Sequence, residues 1–458
     1  MDASALNLTR TWFDEHLRRA LEHARKTGHR EWFAKSLAIP AVPLVQAFVR
    51  YQGFAWLFTG PDGSAQLGLG SVRDWQWRDS SSLDRMAQYT RQLVVEGLPP
   101  RTLVVGGMAF SAESLWSDWP GVYLALPLAQ VVQTRHEATL QVTMAIDGEK
   151  PLEYYHRQLH AVWETLADSP NAFVPQSLTP ERIVANPARS QWLKQVEQAT
   201  QAIRAGRLEK VVLARALTVE YAQAARVDSI LANLCAQNPD ATVFAMRHSG
   251  SVFLGASPEL LARVRDDTVE SMSLAGSAPR GLTPEEDFDC ALRMQRDPKS
   301  AREHGVVRRH VQEALSDLTV SLKMPEVPNL KKLPSVQHLL TPVFARLKPD
   351  ASLWSVVQKL HPTPAVAGYP IEASTQYIVN VAEPFARGWY AGSLGWTELS
   401  GDGQWIVALR SGIIRGNNVV LYAGCGIMED SDPATELAES DWKFNTMLSA
   451  LEIEGESY

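Results

Sequence analysis

Apolar residues recur along this chain with two different periods. In the last quarter Leu437, Phe444, Leu448 and Leu451 share one stripe at about 100° per residue, which predicts a helix from about 433 with that face buried. Asp432 is a suitable N-cap and Pro433 a suitable first helical residue. Glu436, Glu439 and Lys443 fall on a second stripe. Taken alone, that stripe reads as a solvated polar face with ordinary i, i+3 and i, i+4 pairing. Trp192, Val196, Ala199 and Ile203 line one face of an earlier helix, which Gly206 ends. Helical spacing also predicts elements over 10–27, about 151–168, and 299–317 with Glu303, Val307 and His310 on one side.

Short apolar runs predict strands at Thr102–Val105, Val122–Leu126, Ala138–Val142 and Lys210–Val219. Thr242–Arg247 and Ser251–Ala256 flank His248-Ser249-Gly250 as a tight hairpin. Further strands are expected at 389–396, 405–411 and 419–424, and the proline-rich polar stretch 169–180 reads as a connector. There is no repeat and no low-complexity tract. Strands that often run consecutively, with helices between groups, predict an α+β fold and not a doubly wound parallel sheet.

Three positions could carry chemistry. Lys210 shares a strand face with Val212 and Ala214, where a lysine either snorkels outward, the commoner outcome, or sits desolvated. Glu259 follows Ser257-Pro258 directly after an apolar strand. It is either a surface acid at a helix start or a carboxyl group in a cleft. Glu303 is a routine helical acid or a metal ligand, and His304 and His310 lack metal-motif spacing with a third ligand. HExxH, GxSxG and Walker patterns are missing. The glycine clusters at 392–395 and 424–426 do not precede a helix as a phosphate loop must.

Composition narrows the class. A hydrophobic content of 45% and a charged content of 21% belong to a globular chain. Cys235, Cys290 and Cys425 form no CxxC pair, so neither a zinc site nor a disulfide framework is expected. The N-terminus lacks a signal-peptide pattern and no apolar run is long enough to span a membrane, so a cytoplasmic protein is expected. A net charge of −7 argues against general nucleic-acid binding. It also means that an anionic substrate would have to be captured by local cations.

Collinear segments then point to one family. They are Lys-Val-Val-Leu-Ala-Arg (210–215), Phe-Leu-Gly-Ala-Ser-Pro-Glu (253–259), Leu-Ala-Gly-Ser (274–277), Arg-Glu-His (302–304) and Val-Gln-His (336–338). His-Pro-Thr-Pro-Ala-Val-Ala-Gly (361–368), Trp-Tyr-Ala-Gly-Ser (389–393), Ala-Leu-Arg (408–410), Tyr-Ala-Gly-Cys-Gly-Ile (422–427) and Ser-Asp-Pro-Ala-Thr-Glu-Leu-Ala-Glu (431–439) continue the series. With them, residues from about 190 to 450 resemble the chorismate-utilising enzymes, a family of isochorismate, salicylate, anthranilate and aminodeoxychorismate synthases. The resemblance implies one structural domain over 1–458, a large, mostly antiparallel β-sandwich flanked by helices in α/β/β/α layers. Residues 1–185 would complete the fold and 190–455 would bind chorismate. It further implies Mg²⁺ held by Glu303 and Glu439, with Glu436 reaching it through water. Tyr390, Arg410 and the backbone near Gly424 match groups that bind the enolpyruvyl carboxylate. Lys443 and the Gly276-Ser277 turn lie on the ring side, and His338 lines the pocket.

Product identity rests on fewer residues. Isochorismate formation adds water at C2 and expels the C4 hydroxyl from the opposite face, which requires a base and an acid. Lys210 and Glu259 match those roles. Aminating relatives typically carry glutamine in place of Lys210, and aminodeoxychorismate synthases tend to carry a nucleophilic lysine in place of Ala275. The tryptophan-binding Leu-Leu-Glu-Ser signature of anthranilate synthases is missing, so no glutaminase subunit is expected. Salicylate synthases share the lysine and the glutamate, but usually have threonine where this chain has Ala365. The resemblance therefore implies isochorismate synthesis, with the long N-terminal half similar to menaquinone-type enzymes. A salicylate synthase, or a non-catalytic chorismate-binding regulatory paralogue, is the alternative. One departure is Ser300, where members often carry a second acid; it is expected to thin the surroundings of the metal.

Overall fold

A computed structural model describes residues 1–167, 178–334 and 336–453. The connector expected at 169–180 lies outside the described residues as far as 177. The fold is α+β, and the described residues form two antiparallel sheets of twelve and ten strands. Each sheet draws on both halves of the chain. In the larger one Ala55–Thr59 pairs with Thr242–His248, and in the smaller one Leu103–Met108 pairs with Ser393–Glu398.

Strand periodicity explains the layering. Alternate residues of Ala55–Thr59, Thr242–His248 and Ser251–Ser257 go to opposite sides of the larger sheet. Trp56, Phe58, Phe244, Met246 and Phe253 enter a core shared with the smaller sheet. Leu57, Val243, Ala245 and Leu254 enter a second core with Phe13, Tyr155, Ile230 and Phe444. Those four lie on helices Ala3–Thr27, Leu152–Leu166, Val227–Gln237 and Pro433–Ala450. Helices Asp84–Val95, Pro298–Ser316 and Leu353–Leu360 add Met86, Val307 and Trp354 to the first core. The result is the α/β/β/α layering. Leu437, Phe444, Leu448 and Leu451 are buried as the stripe predicts. Each contributes roughly 1.5–3 kcal/mol, which fixes the direction the last helix faces. The hairpin also forms, with Ser249 and Gly250 at φ 47° and 78° between paired His248 and Ser251.

Two expectations are corrected. The strand expected over 405–411 is two strands in different sheets, Gly403–Val407 in the smaller and Ser411–Arg415 in the larger. Between them Arg410 takes a left-handed backbone, φ 49°, directly after the apolar run Trp405–Leu409, whose pattern does not show that the chain changes sheet there. The strand expected at 389–396 begins only at Ser393, because Trp389–Gly392 forms a turn with Ala391 at φ 59°. The first helix starts at Ala3, capped by Asp2, earlier than its apolar spacing indicates.

Candidate active site

The site forms where the chain passes from one sheet to the other. Ser251–Ser257 belongs to the larger sheet and Leu260–Arg265 to the smaller, with Pro258 and Glu259 at the crossing. The second crossing is Ala408–Arg410. The two are bonded together: Val407 N–H donates to the Glu259 carbonyl at 3.1 Å, and Ala256 N–H to the Arg410 carbonyl at 3.1 Å. Left-handed non-glycine backbone at Ala391 and Arg410 costs about 1–3 kcal/mol each and clusters at functional sites.

The cavity there holds about 630 Å³ of space between atoms, part of it open to solvent. Glu259, Gly276, Ser277, Glu303, His338, Ala365, Tyr390, Arg410, Gly424 and Lys443 all line it. Lys210, Glu436 and Glu439 do not line it: Lys210 pairs with Glu303 and Glu439 with Lys443, both in the lining, while Glu436 pairs with Lys299. Lys210 is fully buried, not snorkelled, and its Nζ lies 3.0 Å from Glu303 Oε1. A Cβ added to Gly426 would come within 2.2 Å of Glu303 Oε1 and 2.8 Å of Lys210 Cε, so only glycine permits this approach.

The second stripe of the last helix is not a solvated face. Lys443 Nζ contacts Glu439 Oε1 at 2.7 Å and donates to the Gly424 carbonyl at 2.8 Å. Glu436 is fully buried and paired through Oε1 with Lys299. Burial and the neighbouring Glu439 push its carboxyl up to about 7, against the pull of Lys299. Ser431 sits nearby, yet Glu436 Oε2 makes no hydrogen bond of ordinary geometry. Burial also works against the charge on Glu303, but Lys210 and Lys299 outweigh it and hold that carboxyl below its usual range.

Glu259 is 4% exposed, not a surface acid. Burial raises its carboxyl to about 7, against the attraction of Lys210, Lys331, Arg410 and Lys443. Across the cavity Gly276, at φ 77°, forms a bulge that aims Ser277 Oγ at His338 Nδ1, 3.1 Å away. Burial and the charges of Arg410 and Lys443 push His338 well below its ordinary value, so it is neutral. With its proton on Nδ1 it donates to the Gly276 carbonyl at 3.2 Å and accepts from Arg410 Nη2 at 3.4 Å.

For a metal, the candidate donors would be Glu303, Glu439 and Oε2 of Glu436, which lacks a hydrogen bond of ordinary geometry. Among the described residues no three acidic, histidine or cysteine side chains converge tightly enough to cage an ion alone. Ser300 Oγ bonds to Asp297 Oδ2 at 2.6 Å, so its hydroxyl is already committed within its own helix start.

Two cations at the site were not legible beforehand. Lys299 stands one turn before Glu303, an i, i+4 spacing that could have signalled it. Lys331, whose ammonium bonds the Pro258 carbonyl, comes from the short strand Asn329–Lys332 and had no local signal.

A family model described as chorismate binding enzyme matches residues 19–452. An isochorismate synthase of Bacillus subtilis, MenF, is 31% identical over 96% of this chain and 97% of its own. A salicylate biosynthesis isochorismate synthase of Pseudomonas aeruginosa is 40% identical, over 58% of this chain and 56% of its own. The solved structure of MenF, the menaquinone-specific isochorismate synthase of Escherichia coli, superposes with a TM-score of 0.81 at 28% identity. It covers 95% of this chain and 99% of that one.

Proposed function

The chain belongs to the chorismate-binding enzymes, and from that membership and the cavity's chemistry we infer that it is an isochorismate synthase, an isomerase acting on chorismate. The observation that carries the mechanism is one cavity lined by a carboxyl group raised to about 7, with a buried lysine paired to its lining residue Glu303. Lys210 takes a proton from water as the oxygen bonds to C2. The ring double bonds shift, the C4–O bond breaks on the opposite face, and Glu259 gives its proton to the departing hydroxyl, which leaves as water. Atoms balance, so the product is an isomer of chorismate. Arg410 and Tyr390 would grip the enolpyruvyl carboxylate, Arg410 bidentately. Lys443 and the Gly276-Ser277 bulge would hold the ring side. Glu303 and Glu439, with Glu436 through water, would hold Mg²⁺, which would supply positive charge for the ring carboxylate. Lys331, Arg410 and Lys443 together answer how a chain of net charge −7 attracts a dianion.

Use of the product in menaquinone synthesis is supported by a match to the menaquinone-specific enzyme that runs over 95% of this chain. The salicylate-pathway relative covers only 58%. Strands from residues 1–185 sit within both sheets, which supports reading 1–458 as one domain. The decisive experiment is incubation of pure protein with chorismate and Mg²⁺, with and without ammonia. Isochorismate is expected in both, and chelation should stop its formation; salicylate with pyruvate as main products would overturn the reading. Ala365 lines the cavity. Exchanging it, Ala365→Thr, adds a hydroxyl beside the ring, and at least a several-fold rise in pyruvate per isochorismate is expected by coupled assay. An unchanged ratio would remove Ala365 as the determinant.

A further inference from the structure

Arg387 is fully buried and does not line the cavity, yet its guanidinium bonds two walls of it. Lys210 and Val211 pair with Tyr369 and Gly368 as an antiparallel ladder. Val212 N–H donates to the Ala367 carbonyl at 3.0 Å, the last direct bond before the two segments part to open the cavity. There the carbonyls of Val212 and Val366 both lack a backbone donor from the other segment. Arg387 spans the gap: Nη2 donates to the Val212 carbonyl at 2.7 Å and Nη1 to the Val366 carbonyl at 2.8 Å. Val212 and Val366 line the cavity, two residues after Lys210 and one after Ala365.

The guanidinium is itself held. Glu383, whose side chain is as buried as that of Arg387, accepts from its Nε at 2.8 Å and from Nη2, and also takes the Ala214 N–H at 2.7 Å. Phe110 lies 4.4 Å beneath the guanidinium, Tyr390 lies 6.0 Å away, and Tyr390 N–H donates to the Arg387 carbonyl at 3.0 Å. The Arg387 N–H donates to Ser114 Oγ at 2.8 Å, which ties the N-terminal half to the same point. A fork of five donors suits this set of planar acceptors, and lysine cannot reproduce it.

We propose that Arg387 is a positioning residue of the reaction: with Glu383 it sets the placement of the Lys210 strand relative to the Ala365 loop and Tyr390. This rests on the isochorismate synthase reading. A misplacement near 1 Å at reacting groups costs roughly 100-fold in rate, so the tether should act on kcat. Two variants separate this from plain stability. Arg387→Lys keeps a charge beside Glu383 but cannot bridge both carbonyls. Arg387→Met with Glu383→Met removes the buried pair together, an exchange for apolar side chains that often preserves stability. Both are expected to lose kcat by about 10- to 100-fold on the same scale, with KM within about threefold and a cooperative thermal melt. Wild-type kcat in either folded variant, or failure of both to fold, would assign the pair to stability alone and overturn the proposal. A wild-type protein inert toward chorismate would sink the isochorismate reading and this inference with it, whereas an active wild type with active variants sinks the inference alone.

Discussion

Glu259→Gln is expected to lower kcat for chorismate by about 10²- to 10⁴-fold, the range a positioned general acid contributes. Glutamine keeps the size of the side chain but has no proton to give. The residue is 4% exposed, and burial holds its carboxyl at about 7. It is therefore protonated on the acid side of neutrality, and kcat/KM of the wild type should fall as pH rises through and beyond 7. A second readout follows from linkage. The folded value lies above the ordinary 4.5, so between the two the folded protein keeps a proton that the unfolded chain has released. Wild-type stability is thereby lost as pH rises from about 4.5 to about 7, and the glutamine variant, which never ionises, escapes that loss. Melting curves should coincide near pH 4 and separate in favour of the variant above 7. A variant with wild-type turnover, or one that melts below the wild type at pH 8, would remove Glu259 from the acid role.

Lys210→Ala is the counterpart at the other edge, and a loss of similar size is expected. The change also strips Glu303 of the ammonium 3.0 Å from its Oε1, so some stability should go too. Rescue separates the two effects: a small primary amine supplied in solution should restore part of the turnover, raising kcat in proportion to the free-base fraction. A non-catalytic chorismate-binding paralogue would behave otherwise, since its biological output would survive this substitution. Survival of that output, or absence of turnover in the wild type, would favour the binder.

How far the chain disclosed itself differs from element to element. The last helix was readable in full, because Asp432, Pro433 and the stripe through Leu437, Phe444, Leu448 and Leu451 are local signals. Its second stripe was not. Glu436 and Lys443 look like a solvated face until the strand Asn418–Ile427 and Lys299 are packed against them, and those contacts are remote in sequence. Lys210 gave the same ambiguity, since alternation assigns a face but not the depth at which that face is covered. Arg410 was named as a binding residue by its family motif, yet its strand was misread, because an apolar run says nothing about a left-handed residue that carries the chain between sheets.

The sequence by itself determined the class of fold and, through its ordered motifs, the family and most of the groups around the cavity, though not Lys299 or Lys331. The fold class depends on local periodicity and capping, and the family and its site residues on the resemblance carried by those motifs; both survive without coordinates. Only the tertiary structure decided the electrostatic states. Glu259 rises to about 7 because burial outweighs the cations that face it, whereas Glu303, also penalised by burial, is held low by Lys210 at 3.0 Å together with Lys299. Such balances depend on distances between groups far apart in the chain. The Arg387–Glu383 tether belongs here too: its acceptors at Val212 and Val366 are backbone carbonyls, which carry no residue signature and become a site only where two segments part.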